Sequence, residues 1–214
     1  MADTPPFAIP RRTLLVAPLA AALPAEVLAQ RAPTVTVLGD SITAGYGLAA
    51  RMALPAQLQA SLAALGRSVL VRGAGVSGDT TAGGAARVDF SVPAQTRLCV
   101  VALGGNDLLL GLSPKTVQAN LDRILRRLKA RRIQPVLAGL RVPVEIGQGY
   151  ARDFNAIFPR LAAIHGVPLY PDLLAGVARV RGLNQPDGIH PNAQGVVVIA
   201  RGLAPLVART LAQG

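Results

Sequence analysis

The chain has 214 residues, of which 51% are hydrophobic, enough to bury the core of one domain. It carries 22 lysines and arginines against 11 aspartates and glutamates, giving a formal net charge of +11. No apolar run reaches the roughly 20 residues of a membrane-spanning helix, and aromatic residues, at 3%, are too few for the stacking surface typical of nucleic-acid binders.

The first 29 residues differ in pattern from the rest of the chain. Two adjacent arginines, Arg11 and Arg12, precede an apolar stretch from Thr13 to about Leu23, and small or apolar residues end at Ala29. This order is typical of an export signal with a cleavage site, and paired arginines are also a feature of the twin-arginine route. We therefore expect export to the periplasm or medium and one mature domain from residue 30 to 214. The alternative is an ordinary N-terminal helix of that domain.

Beyond residue 30, short apolar runs alternate with longer amphipathic stretches, which predict strands and helices respectively. In chain order we predict strand Thr34–Leu38, helix Leu54–Leu65, strand Ser68–Arg72, helix Thr80–Val88, strand Leu98–Leu103, helix Pro114–Arg131, strand Pro135–Leu140, helix Tyr150–Ile164, strand Val167–Tyr170 and helix Ala193–Leu211. Such alternation predicts an α/β fold with three layers, in which helices cover both faces of a parallel sheet.

The basic residues are densest from Arg123 to Arg132, on a predicted helix with an apolar opposite face. We interpret this run as a solvated outer helix face rather than a nucleic-acid site. A general attraction to anionic membrane or envelope surfaces remains open. The single cysteine, Cys99, lies in an apolar strand and is expected to be a buried core residue.

Polar side chains follow the predicted strands at the edge where parallel sheets bind ligands. Ser41 follows the first strand, and Asp187 and His190 lie on the loop before the last helix. A serine hydroxyl becomes a nucleophile when a base takes its proton and a third group orients that base. We therefore predict Ser41 as nucleophile, His190 as general base and Asp187 as the orienting carboxylate.

An acyl-transfer site also needs donors for the developing oxyanion. The candidates are the backbone N–H groups of Ser41 and Gly78 and the side-chain amide of Asn106. Glycine at 78 lets the backbone approach a ligand closely. Two histidines without a cysteine pair give no zinc-site spacing, so no metal is expected.

Four sequence blocks carry a resemblance to the SGNH, or GDSL-type, hydrolase family, over about residues 33 to 212. They are Gly39-Asp40-Ser41, Ser77-Gly78-Asp79-Thr80, Gly104-Gly105-Asn106-Asp107 and Asp187-Gly188-Ile189-His190-Pro191-Asn192. The chain is most similar to the bacterial thioesterase I, lysophospholipase L1 and arylesterase branch. The resemblance implies a flavodoxin-like five-stranded parallel sheet. It also implies a serine esterase that cleaves carboxylic esters or thioesters through an acyl-enzyme, without a cofactor.

A leucine-rich loop follows the third block. Leu108, Leu109 and Leu110 follow Asn106, and in the resembled branch this loop gates the acyl pocket. We predict these leucines as substrate-binding residues, with Val142 as a second wall; alternatively, the leucines only seat the next helix. Small-molecule or lipid esters are the expected substrates, and nothing in the sequence indicates an oligomeric state.

Three other interpretations compete with the esterase. Residues 73–78 spell the dinucleotide-binding pattern G-x-G-x-x-G, but after the second strand and without the acidic residue expected about 20 positions downstream. The same fold also serves acyltransferases and carbohydrate deacetylases. A basic envelope-binding protein with a vestigial site is the third.

Asp40, Asp79 and Asp107 each follow a glycine or asparagine of a sequence block. We interpret them as loop-bracing carboxylates.

Overall fold

Five parallel strands form the centre of the described chain. The structure is a computed structural model that describes residues 1–2 and 32–213, so the predicted signal lies outside the described residues apart from its first two. The strands are β1 (Thr34–Gly39), β2 (Leu70–Gly75), β3 (Thr96–Ala102), β4 (Gln134–Ala138) and β5 (Leu169–Tyr170). They pair in the order β2-β1-β3-β4-β5. This is the flavodoxin-like order, and the predicted fold class is confirmed.

Helices cover both faces of the sheet. In chain order they are α1 (Ser41–Ala44), α2 (Leu54–Ala64), α3 (Thr81–Ser91), α4 (Gly105–Leu109), α5 (Pro114–Ala130), α6 (Gln148–Asn155), α7 (Ile157–His165) and α8 (Ala193–Gln213). Short 3-10 helices lie at Ala50–Met52, Val144–Ile146 and Arg181–Leu183. Side chains of α2 and α8 pack on one face, and those of α3, α5, α6 and α7 pack on the other.

The central strand β3 shows why the two cores form. Leu98 and Val100 pack toward α2 and α8, whereas Cys99 and Val101 pack toward the opposite helices. Successive side chains of a strand point to opposite faces, so a strand covered on both sides is apolar throughout. Cys99 is the buried core residue that its sequence context predicts, and burial raises the pKa of its thiol to about 12.

One predicted helix is wrong in its extent. The stretch Tyr150–Ile164 was expected to be continuous, but it is divided into α6 and α7 at Ala156. Pro159 explains the break, because in a continuous helix its ring would clash with the carbonyl of Asn155 four residues earlier. In α7 the proline instead occupies the first turn, where no intrahelical N–H bond is required.

Among the described residues, α8 is the helix long and apolar enough to cross a membrane. Half of its apolar stretch is buried inside the protein, against the face that α2 also covers. This apolar character is therefore accounted for by the core.

The strand order places a crevice beside β1. The chain leaves β1 toward β2 on one side and leaves β3 toward β4 on the other. Connections that diverge in this way open a gap at the carboxyl ends of the two strands. Ser41 follows β1 and Asn106 follows β3, so both lie at this switch point.

Candidate active site

The predicted nucleophile begins a one-turn helix directly after β1. Asp40 caps this helix, since its Oδ1 accepts the N–H of Ile42 at 3.1 Å. Ser41 is the first helical residue, so its own N–H is one of those that a helix start leaves without an intrahelical partner. Ser41 is buried, which limits the access of water to the hydroxyl.

Glycine in β2 allows α1 to approach the sheet. A Cβ on Gly75 would clash with the backbone nitrogen of Ala44. Gly73 and Gly75 both lie inside β2, and α3 starts only at Thr81. The G-x-G-x-x-G pattern therefore makes room for α1 and does not form the strand-to-helix turn of a dinucleotide site.

The predicted base and carboxylate meet on the loop between β5 and α8. Oδ1 of Asp187 accepts the backbone N–H groups of Ile189 at 2.9 Å and His190 at 3.0 Å. Its Oδ2 lies 2.7 Å from Nδ1 of His190, and Nε2 of His190 lies 2.9 Å from Oγ of Ser41. The structure thus brings Ser41, His190 and Asp187 together in one hydrogen-bonded chain.

The groups around Asp187 favour its charged form. The backbone N–H of His190, its side chain and the N–H of Ile189 lower the pKa of Asp187 to about 2. Asp187 is therefore ionised throughout the neutral range and can hold a proton on Nδ1 of His190. The ring of Tyr46 packs against the imidazole of His190, with 4.6 Å between the two ring centroids.

The predicted oxyanion donors lie at the starts of α1 and α4 and in the turn that follows β2. Nδ2 of Asn106 donates one hydrogen to the carbonyl of Asp79 at 2.8 Å. Within the described residues, the second hydrogen of this amide has no partner and can be donated to a ligand. Gly78 has a φ of 80° in a turn closed by the N–H of Asp79 and the carbonyl of Val76. Gly78 is exposed and lies outside the cavity lining formed by the described residues, whereas Ser41 and Asn106 belong to it.

Sequence reasoning missed the residue that holds the Gly78 turn in place. Arg87 donates to Asp79 at 2.7 Å, to the carbonyl of Ala74 at 2.9 Å and to that of Gly39 at 2.8 Å. It thereby joins the ends of β1 and β2 to the turn. The available signal was that Arg87 is the one basic residue in the sequence of α3.

Asp107, the last of the three aspartates in the sequence blocks, also has a structural role. Asp107 is fully buried and accepts the N–H and the hydroxyl of Thr81, at 2.8 and 2.6 Å. It fixes the start of α3 against α4. Asp79 and Asp107 are thus loop-bracing carboxylates, as their sequence context predicts.

A cavity of about 210 Å³ opens beside Ser41 and His190. Asp40, Asn106, Arg141 and Asp172 contribute polar groups to it. The rest of the lining is mostly apolar: Ile42, Ala102, Leu108, Leu109, Ala138, Leu140, Leu173, Leu174, Ala178 and Ile189. Apolar walls with few polar groups are typical of sites for small apolar ligands.

Two of the four predicted substrate contacts lie in this wall and two do not. Leu108 and Leu109 line the cavity, but Leu110 at the end of α4 is 65% exposed. Each helical residue turns about 100° from the last, so consecutive leucines cannot all face one cavity. Val142 is buried in the core, because Asn155 bonds both its N–H and its carbonyl. Leu110 and Val142 therefore lie outside the cavity lining of the described residues.

Asp40 is a buried carboxyl in the cavity wall. Burial raises its pKa to about 6, and the negative charge of Asp79 acts in the same direction. The hydrogen bond from Ile42 and the influence of His190 lower the pKa, but burial outweighs them. A carboxyl with a higher pKa in the folded state than its unfolded value of 3.8 binds more protons when folded. The free energy of unfolding should therefore fall as pH rises between these two values.

We expect Asp40→Asn to remove this dependence. Asparagine keeps the cap on Ile42 but carries no charge, so the variant should be more stable than the wild type at neutral pH, by up to about 3 kcal/mol. Denaturant unfolding at a series of pH values measures the difference. Asp153→Asn, at an exposed carboxylate, is the matched control and should follow the wild-type curve. Parallel curves for Asp40→Asn and wild type would contradict the raised pKa.

A serine, a histidine and a carboxylate in hydrogen-bonding sequence, at the switch point of a flavodoxin-like sheet, define the class of serine hydrolases. Residues 37–197 match the GDSL-like lipase/acylhydrolase family, and the chain belongs to that family.

Three similar proteins support this placement. The thioesterase 1/protease 1/lysophospholipase L1 of Escherichia coli strain K12 is 39% identical over 184 residues, covering 84% of this chain and 87% of that one. The esterase TesA of Pseudomonas aeruginosa is 38% identical over 161 residues, with coverages of 75% and 80%. The crystal structure of AlinE4, an SGNH-hydrolase family esterase, is 41% identical with a TM-score of 0.71, over 84% of this chain and 96% of that one. These matches confirm the prediction of an ester or thioester hydrolase.

Proposed function

We propose that this chain is a serine esterase that cleaves esters and thioesters by forming an acyl-enzyme on Ser41. The observation that carries the proposal is the unbroken chain from Ser41 Oγ to His190 Nε2, 2.9 Å, and from His190 Nδ1 to Asp187, 2.7 Å. With Nδ1 protonated toward the carboxylate, Nε2 presents its lone pair to the hydroxyl.

The reaction then proceeds in two halves. Ser41 attacks the carbonyl carbon while His190 takes the hydroxyl proton, and His190 returns that proton to the leaving alcohol or thiol. Water next attacks the acyl-enzyme by the same route and releases the acid. The oxyanion formed in each half is bound by the N–H groups of Ser41 and Gly78 and by the amide of Asn106.

The cavity supports apolar acyl or aryl groups as the part of the substrate that is held. Leu108, Leu109 and Ile189 line it close to Ser41 and His190. The names of the relatives include thioesterase, lysophospholipase and esterase. We therefore propose aryl esters, acyl thioesters and lysophospholipids as the substrate classes.

A rate comparison tests this proposal. Purified protein is assayed on an aryl ester, an acyl thioester, a lysophospholipid and an acetylated sugar, with product analysis in the presence of a competing alcohol. We expect free acid from the first three substrates. If acyl groups pass mainly to the alcohol, the protein is an acyltransferase, and fastest turnover of the acetylated sugar would indicate a carbohydrate deacetylase.

Asn106→Ala should lower kcat by roughly 10²–10³ with little change in KM, because the amide contacts the oxyanion and not the ground-state carbonyl. Steady-state kinetics on an aryl ester measure both constants. The variant also loses the bond to Asp79, so thermal denaturation must show that it remains folded. An unchanged kcat in folded protein would remove Asn106 from the oxyanion site.

We also propose that residues 1–29 direct export and that residues 30–214 act in the periplasm or outside the cell. The paired arginines, the apolar stretch and the small residues that precede residue 30 support this.

The structure also supports a solvated helix for the basic run on α5, since Arg126 pairs with Asp122 and Arg127 with Asp89. These pairs weigh against nucleic acid as a partner.

A further inference from the structure

Two pieces of chain carry the reacting side chains of the site. Residues 41–48, which we call the serine segment, follow β1 and carry Ser41. Residues 171–192, which we call the histidine loop, lie between β5 and α8 and carry both Asp187 and His190. Proton transfer from Ser41 to His190 requires that these two pieces be held within hydrogen-bond reach of each other.

The side chain of Gln185 ties the histidine loop to the serine segment. Its Nε2 donates to the carbonyl of Tyr46 at 2.8 Å. The N–H of Tyr46 donates in turn to the carbonyl of Ser41 at 3.0 Å. Within the described residues, the Gln185–Tyr46 bond and the Ser41–His190 bond are the two hydrogen bonds between the serine segment and the histidine loop.

The same residue is also bonded to the part of the loop that contains the histidine. Residues 183–185 pair antiparallel with residues 190–192, and the backbone N–H of Gln185 donates to the carbonyl of His190 at 2.7 Å. The second bond of the Gln185 side-chain nitrogen goes to the carbonyl of Pro191 at 3.0 Å. Both amide hydrogens are therefore used, and since both acceptors are carbonyl oxygens, only an NH₂ group can occupy this position.

Gly47 makes room for the Gln185 side chain. A Cβ at position 47 would clash with Oε1 of Gln185, and the φ of Gly47 is 71°. This left-handed conformation is open to glycine and unfavourable for most other residues. The backbone of the serine segment is thus shaped so that the amide can reach the carbonyl of Tyr46.

The other polar side chains near the histidine hold the loop in shape but do not attach it to the serine segment. Within the described residues, the amides of Asn184 and Asn192 donate only to backbone carbonyls of residues 177–184. Asp187 accepts only from Ile189 and His190. The pair of Asp187 and His190 is therefore complete within the loop, and its distance from Ser41 depends on contacts between the loop and the serine segment.

We propose that Gln185 is a positioning residue that sets the distance between Nε2 of His190 and Oγ of Ser41. It lies outside the cavity lining formed by the described residues, so it acts through the two backbone pieces and not on the substrate. A misplacement of reacting groups by about 1 Å can cost about a hundredfold in rate. The inference rests on the proposed acyl-enzyme chemistry and adds to it a residue outside the four sequence blocks.

The first test is Gln185→Leu, which removes both side-chain bonds without adding a charge. The backbone bonds of residue 185 and the Asp187–His190 pair do not depend on this side chain and should persist. We expect kcat on a soluble aryl ester to fall about 10- to 100-fold with KM within about twofold of the wild type, because the cavity wall is unchanged. Gln185→Glu should lose at least as much, since its carboxylate would face two carbonyl oxygens.

Gln194→Leu and Gln194→Glu are the matched controls. Gln194 is exposed in the first turn of α8, and its side chain bonds to none of the described residues. Both controls should keep the wild-type kcat. Equal losses in the Gln185 and Gln194 variants would overturn the proposal, because the effect would then not come from the bonds to Tyr46 and Pro191.

A merely structural role for Gln185 predicts a different result. It would lower the unfolding temperature and the fraction of protein that an organophosphonate labels on Ser41, while each labelled site kept the wild-type rate. A positioning role leaves the unfolding temperature and the labelled fraction close to the wild-type values and lowers the rate constant of labelling in proportion to kcat. Mass spectrometry over time measures the labelling, and a wild-type kcat per labelled site in Gln185→Leu would overturn the proposal.

Labelling also separates this inference from the esterase proposal. Phosphonylation of Ser41 needs the base but no ester turnover, so wild type and Gln185→Leu can be compared whether or not esters are hydrolysed. Labelling without hydrolysis in the wild type would contradict the esterase proposal alone. Equal labelling rates in the wild type and Gln185→Leu would contradict the positioning role alone, and a wild type that reacts with neither reagent would contradict both.

Discussion

Replacing Ser41 by alanine should reduce ester hydrolysis by at least about 10⁴-fold, and by up to about 10⁶-fold if the three side chains act as one unit. The hydroxyl supplies the atom that becomes acylated, so no neighbouring group can take its place. Substrate binding should change little, because the cavity walls remain. The measurement is kcat and KM on a soluble aryl ester. Circular dichroism spectra of the wild type and Ser41→Ala should agree, which shows that both proteins are folded.

Ser77→Ala is the matched control for this substitution. Ser77 lies in the exposed turn before Gly78, and no side-chain hydrogen bond joins it to the described residues. Its replacement should leave hydrolysis at the wild-type rate. A reactive organophosphonate should add to wild-type and Ser77→Ala protein but not to Ser41→Ala, as read by mass spectrometry. An adduct on folded Ser41→Ala protein, or retained hydrolysis, would show that another residue is the nucleophile.

The sheet and the meeting of Ser41 with His190 were predictable from sequence for a physical reason. β3 is apolar on both faces, which marks a central strand. Parallel strands bring all their carboxyl ends to one edge. Ser41 and His190, 149 positions apart, both follow strands and therefore meet at that edge. The spacing of Asp187 and His190 by three residues lets a single turn hold carboxylate against imidazole.

The cavity wall was less predictable, because it depends on rotations of single residues. Leu109 and Leu110 are adjacent and chemically identical, yet only Leu109 lines the cavity. The difference arises from where α4 starts, which the sequence pattern does not reveal over so short a helix. Val142 turns inward because the side chain of Asn155, thirteen residues later, bonds its backbone. Contacts of this kind have no periodic signal.

Asp187→Asn should lower kcat by about 10⁴-fold through the tautomer of His190 rather than through lost charge alone. Asparagine can still accept the N–H groups of Ile189 and His190, so the turn should persist. Its amide would then donate to Nδ1, which must give up its proton, and the proton would move to Nε2. An imidazole protonated at Nε2 cannot accept the proton of Ser41.

Kinetics across a pH series distinguish this account from a purely structural role for Asp187. The pKa of Asp187 is about 2, so the wild-type carboxylate is charged over the whole neutral range and its titration should not shape the activity profile there. In Asp187→Asn, kcat should be low at every neutral pH while KM and the unfolding temperature stay close to the wild-type values. Asp153→Asn removes an exposed carboxylate from α6 and should leave kcat unchanged. If Asp187→Asn retained kcat within tenfold of the wild type, Asp187 would be a residue that shapes the turn, and the orientation of the imidazole would have to come from its packing against Tyr46.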